Sequence, residues 1–111
     1  MQHLSATELA AWLADPTRPK PLLLDVREPW EVATAAMPGI TAIPMGQIPA
    51  RVDEISGAAA PAVPVVAICH HGARSMQVAL FLESRGIGPL HNLTGGINAW
   101  STQVDPSVPR Y

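Results

Sequence analysis

Val65-Val66-Ala67-Ile68 runs without a polar interruption into Cys69-His70-His71-Gly72-Ala73-Arg74-Ser75, and this junction limits the fold more than any other feature of the chain. Four consecutive apolar residues leave no face for water, so they read as a strand buried on both sides. A helix-like segment follows from Arg74 to Arg85, with Gly86 placed as its stop. Strand, short loop and helix start together bring backbone N–H groups to one spot, and the helix dipole adds partial positive charge there. A thiol at the head of such a loop titrates low and serves as a thiolate nucleophile. The alternative is an inert buried cysteine, but cysteines of that kind usually sit inside an element.

The other elements follow from caps, runs and prolines. Ser5-Ala6-Thr7-Glu8 fits a capping box, and Leu9, Trp12 and Leu13 follow at helical spacing. That helix should end near Ala14, because Pro16 restricts the residue before it. Leu22-Leu23-Leu24 leads into Asp25-Val26 as a second strand buried on both faces. Pro29 is placed to start a short helix, and Pro49 a further one reaching about Ile55. Ala42-Ile43 reads as a very short strand, Leu90–Leu93 as the last one, and Ile97–Trp100 as the beginning of a final helix. The prolines cluster at 16–21, 38–49, 61–64 and 106–109, which marks connections, and Ala58-Ala59-Ala60 is too short to count as low complexity. Short apolar strands alternating with helices predict an α/β layer fold with a mainly parallel sheet. Ligands bind beyond the carboxyl ends of such strands, where Cys69 falls.

At 111 residues the chain is expected to form one domain with one core. Its net charge of −2 and scattered basic residues give no nucleic-acid signal. No apolar run approaches the roughly 18 residues of a spanning helix. Met1-Gln2-His3-Leu4-Ser5 has neither the basic nor the apolar stretch of a signal peptide, so cytoplasmic location is the default expectation. A single cysteine forbids an internal disulfide and a cysteine zinc site.

Three motifs resemble the rhodanese family of single-domain sulfurtransferases. The first is Leu24-Asp25-Val26-Arg27-Glu28-Pro29-Trp30-Glu31, followed by Met37-Pro38-Gly39 and Ile43-Pro44. The loop Cys69–Ser75 is the second, and Asn92-Leu93-Thr94-Gly95-Gly96-Ile97 with Ala99-Trp100 is the third. The resemblance implies a rhodanese-like domain over residues 1–111, with a five-stranded, mainly parallel sheet flanked by helices on both faces. It also implies that Cys69 carries sulfur as a persulfide. Ala35-Ala36 departs from the family's usual Gly-His, and Ile40 stands where a small residue is usual. Four residues separate Cys69 from Arg74. The related cysteine phosphatases and arsenate reductases hold one more, because a tetrahedral oxyanion needs a wider ring of donors. The shorter loop therefore favours sulfur transfer over phosphate or arsenate chemistry.

The reaction implied takes sulfur from a small-molecule donor such as thiosulfate and passes it to an external nucleophile, with no cofactor and no metal. The acceptor is a small nucleophile or a partner protein, because no second cysteine can resolve the persulfide within the chain. A reading of another class is a module that docks on a sulfur-carrier or adenylyltransferase partner, although purely binding versions of this domain commonly lose the cysteine. His70, His71, Gly72, Ala73, Arg74 and Ser75 form the substrate loop, with Asp25 and Arg27 in support. Arg74 either clamps an anionic donor or braces the loop against a carboxylate such as Asp25. Ser75 reads as a helix-start hydroxyl, or else as a donor to the persulfide. His70 and His71 line the pocket mouth with a share of positive charge near neutral pH; adjacent histidines lack the spacing of a helical metal pair. Arg27 and Glu31 are expected to pair, Asp25 to accept hydrogen bonds from neighbouring loops, and Trp12, Trp30 and Trp100 to pack in the core or at the rim. The Pro-rich tail 104–111 resembles the ends of rhodanese modules fused to adenylyltransferases. It serves either a protein partner or a strap across the fold.

Overall fold

The computed structural model describes residues 1–59 and 63–111. The end of the alanine run at Ala60 and the start of the Pro61–Pro64 cluster lie outside the described residues. Five strands form one parallel sheet: β1 (Gln2–Leu4), β2 (Leu22–Asp25), β3 (Thr41–Ala42), β4 (Val65–Ile68) and β5 (Leu90–Leu93), in the order β1-β5-β4-β2-β3. The helices are α1 (Ala6–Ala14), α2 (Pro29–Thr34), α3 (Val52–Ala58), α4 (Ala73–Ser84) and α5 (Gly96–Gln103). Pro49 opens a 3-10 turn, Pro49–Arg51, that leads into α3. The capping box at the head of α1 is complete: Ser5 Oγ accepts the Glu8 N–H at 3.1 Å, and Glu8 Oε1 accepts the Ser5 N–H at 2.9 Å.

Strand β4 explains its own composition. Val65 and Ala67 face a core with Leu24, Ile55, Val78, Ala79 and Leu82, whereas Val66 and Ile68 face a second core with Leu9, Trp12, Leu93, Ile97 and Trp100. Successive side chains on a strand point to opposite faces, and both faces here are covered by helices, so no position tolerates a polar residue.

The topology fixes where a ligand can sit. The chain leaves β2 toward β3 on one side and leaves β4 toward β5 on the other. The two strands are neighbours in register, with Asp25 opposite Ile68. Connections diverging from adjacent strands open a crevice at their carboxyl ends, the usual ligand position in open α/β sheets. Asp25 and Cys69 flank that crevice.

Segment 104–111 packs against the fold. Val108 is buried in the second core, its carbonyl accepts the Ser101 hydroxyl at 2.8 Å, and Asp105 N–H bonds to the Trp100 carbonyl at 2.9 Å. These contacts are those of a strap. Tyr111 continues past the strap to the carboxyl end of the sheet.

Candidate active site

Cys69 follows β4 directly and is almost fully buried, at 1% exposure. Gly72, at φ +108°, turns the chain into α4 and donates its N–H to Cys69 Sγ at 3.0 Å. A side chain at position 72 would be strained at that φ and would crowd the Leu93 carbonyl and the Gly95 amide. The loop is held from the other side by α5, whose first turn donates the Ile97 N–H to the Cys69 carbonyl at 2.9 Å and the Asn98 N–H to the His70 carbonyl at 3.1 Å. Gly96 makes this approach possible: it has φ +57°, and a Cβ there would collide with both of those carbonyls.

Burial pushes the Cys69 thiol up. The Ser75 hydroxyl and the backbone amides of Ser75, Gly72 and His71 outweigh that effect, and the net shift is downward. Ser75 does not cap α4. Gly72 occupies the cap, so Ser75 falls in the first turn of α4, fully buried, with Oγ 3.3 Å from Cys69 Sγ. Its hydroxyl donates to Asn92 Oδ1, and the Asn92 amide donates to the Gly72 carbonyl at 3.1 Å. A hydroxyl has one proton to give. With the neutral thiol, the proton chain runs from Cys69 through Ser75 to Asn92.

Two ion pairs brace the crevice, and neither is the one expected from the sequence. Arg27 does not pair with the Glu31 carboxylate. It lies before α2 begins, so its guanidinium turns back to Asp25, with Nε–Oδ1 at 2.9 Å and an NH2–Oδ2 distance of 2.7 Å, both side chains fully buried. The guanidinium also donates to the carbonyls of Ala35 and Glu31 at 2.6 and 3.3 Å. Burial opposes the Arg27 charge, but the bonds to Asp25 and Tyr111 more than offset it and hold its pKa above the ordinary value.

Arg74 pairs with Glu31 and not with Asp25. The contact is bidentate, NH1–Oε1 at 2.6 Å and NH2–Oε2 at 2.9 Å. Glu31 Oε1 also accepts the Glu28 N–H at 3.1 Å, and Oε2 accepts the Tyr111 hydroxyl at 2.7 Å. Arg74 above all, with Tyr111 and the Glu28 amide, pulls the Glu31 carboxyl down to about 2 against the opposing effect of burial. Glu31 in turn raises the Arg74 pKa. A carboxylate with a depressed folded pKa adds stability above its unfolded value, and this is lost as pH falls through the folded one. Thermal stability should therefore decline as pH drops from 4.5 toward 2. Glu31→Gln should flatten that limb in melting curves recorded across this range. An unchanged acid limb in the variant would exclude the pair as a source of pH-dependent stability.

His70 and His71 lie at the mouth with rings stacked, centroids 4.0 Å apart. His70 stacks again on Tyr111, at 3.9 Å and an interplanar angle of 10°. Burial, then the neighbouring His71, holds the His70 pKa below its ordinary value. Trp30 is at the rim, 64% exposed, with its ring edge-on to Tyr111. Ala73 supplies the first residue of α4.

Three residues escaped sequence reasoning as site components. Glu31 is expected to pair with Arg27 and instead holds Arg74. Asn92 is a polar residue in a short strand otherwise rich in leucine, and a buried amide there is a usable signal. Tyr111 lies 80 positions from Glu31, and no local pattern links them.

Comparison with known proteins agrees with this architecture. Residues 5–103 match the rhodanese-like domain family. The chain is 40% identical over 87 residues to a sulfurtransferase of Allochromatium vinosum, covering 78% of each. It is 38% identical over 112 residues to the rhodanese-like/PpiC domain-containing protein 12, chloroplastic, of Arabidopsis thaliana, spanning all of this chain but only 38% of that protein. The crystal structure of a rhodanese-like domain protein from Staphylococcus aureus superposes with a TM-score of 0.78 at 29% identity, covering 90% of this chain and 91% of that one. With its parallel five-stranded sheet and its motif-bearing loop after β4, the chain belongs to the rhodanese-like domain family.

Proposed function

We propose that the chain is a sulfurtransferase that moves sulfane sulfur from a donor such as thiosulfate to a nucleophilic acceptor through a Cys69 persulfide. Residues 1–111 act as one catalytic unit in this reading. The observation that carries it is the Cys69 thiol, buried at the switch point, bonded by the Gly72 amide and the Ser75 hydroxyl, and followed after four residues by Arg74. The Cys69 thiolate attacks the outer sulfur of thiosulfate, the S–S bond breaks, and sulfite leaves with the bonding pair. The new terminal sulfur is an anion held among loop amides that are oriented before the charge arrives. An acceptor nucleophile then attacks the outer sulfur, and the Cys69 thiolate leaves with the pair. That acceptor is external, a small nucleophile or a partner protein, since Cys69 is the sole cysteine.

Intact mass spectrometry tests this directly. Incubation with thiosulfate should add the mass of one sulfur atom, and cyanide should remove it as thiocyanate. No sulfur gained from thiosulfate or from a low-molecular-weight persulfide would overturn the reading. Phosphate-ester hydrolysis or arsenate reduction in the same preparation would point to the cysteine phosphatase branch instead.

A further inference from the structure

Tyr111 touches both ion pairs of the crevice and the loop beside the thiol. Its hydroxyl oxygen accepts from Arg27 NH1 at 3.0 Å and donates to Glu31 Oε2 at 2.7 Å, so a single atom bridges the Asp25–Arg27 and Glu31–Arg74 pairs. Its ring lies flat on His70, the residue after Cys69, and takes the edge of Trp30 on another side. The Arg74 side chain, held by Glu31, remains 35% exposed and is close enough to feel the charge on Cys69. Val108 anchors the segment three positions earlier, which removes much of the freedom the tyrosine would otherwise lose on docking.

We propose that Tyr111 is a positioning residue of the Cys69 site: its hydroxyl sets Arg74 through Glu31, and its ring forms the wall that holds His70 over the mouth. The hydroxyl acts on the donor. A Glu31 carboxylate that loses the phenol bond and its link to Arg27 holds Arg74 less firmly, and an anionic donor meets a less ordered guanidinium. The ring acts on access. Without it, His70 loses its stacking partner and the path to the thiol widens.

The inference rests on the sulfur-transfer reading for its kinetic arm only. Tyr111→Phe keeps the ring and removes the hydroxyl. It should raise the KM for thiosulfate by about threefold to tenfold, the scale of one hydrogen bond to a part-exposed charged pair, with kcat within about twofold. Its rate of Cys69 alkylation by iodoacetamide should match wild type. Tyr111→Ala should raise KM further and should also alkylate at least about threefold faster, because the wall is gone. Ile55→Val trims the core on the other face of the sheet, away from the strap and the site, and it should lower Tm while leaving KM and alkylation at wild-type values. A wild-type KM in Tyr111→Phe, or a KM rise in Ile55→Val that scales with its Tm loss as in the tyrosine variants, overturns the proposal. Should wild type take up no sulfur, the sulfur-transfer reading fails by itself. The alkylation arm still decides, and an unchanged rate in Tyr111→Ala overturns the placement of Tyr111.

Discussion

Cys69→Ser is expected to keep the fold and to lose all sulfur transfer. Serine is close in size to cysteine, and its hydroxyl can accept the Gly72 N–H and meet Ser75 much as the thiol does. The substitution therefore leaves no buried donor unpaired, and Tm should move by only a few degrees. The chemistry does not survive. The anion site lowers the thiol pKa, but a hydroxyl starts far higher and its oxygen forms no stable sulfane adduct. Thiocyanate release should fall to the level seen without protein, and intact mass should show no added sulfur. Undiminished thiosulfate:cyanide turnover would mean that the sulfur travels by a route not involving Cys69. A second variant separates nucleophile from environment. Ser75→Ala keeps the thiol but removes its hydroxyl partner, so persulfide formation should persist at a reduced rate. The thiol pKa should rise because the Ser75 hydroxyl is the leading bond that lowers it.

What could be read from the sequence was whatever is local in the chain. Runs such as Val65–Ile68 and Leu22–Leu24 announce doubly buried strands because each residue has to be apolar by itself. The Ser5–Glu8 box announces a helix because its two bonds span three residues. Strand β1 gave no such signal. Gln2-His3-Leu4 is short and largely exposed, and only its pairing with β5, some ninety positions on, makes it a strand. The site divides the same way. Cys69, its loop and the glycine turn are contiguous, and their chemistry follows from strand, loop and helix order. The brace around them comes from Glu31, Asn92 and Tyr111, each brought in by tertiary packing. Arg27 and Glu31 do not pair because α2 starts only at Pro29, which leaves Arg27 outside the helix and Glu31 free to hold Arg74. The tail was legible as irregular from its prolines. Its destination was not, because a stack on His70 and a bond to Glu31 leave no periodic trace.

Arg27→Met should destabilise the fold by about 3–5 kcal/mol, the usual cost of stranding one partner of a fully buried ion pair. Asp25 ends β2, which lies between β4 and β3, and Arg27 follows two residues on; both are at 0% exposure. Burying either charge alone is unfavourable. Together they are compensated by their mutual bonds, by the Asp25 Oδ1 contact to the Arg27 N–H at 3.1 Å, and by the carbonyls of Ala35 and Glu31 and the Tyr111 hydroxyl, which receive the remaining guanidinium protons. Methionine fills much of the same volume, so the loss measures charge and hydrogen bonding more than a cavity. Replacing both partners, as in Asp25→Leu with Arg27→Met, removes the stranded carboxylate and should cost less than Arg27→Met alone. Urea unfolding of the two single variants and the double variant measures this coupling, and the double remains informative even where a single variant fails to fold. An Arg27→Met chain within about 1 kcal/mol of wild type would show that Asp25 is satisfied without the arginine. The crevice would then owe its rigidity to the loop and the Glu31–Arg74 pair. The expected result places the pair beneath the site instead: Arg27 reaches Tyr111 at 3.0 Å, Tyr111 reaches Glu31, and Glu31 holds Arg74, so losing Arg27 should loosen the mouth as well as the core.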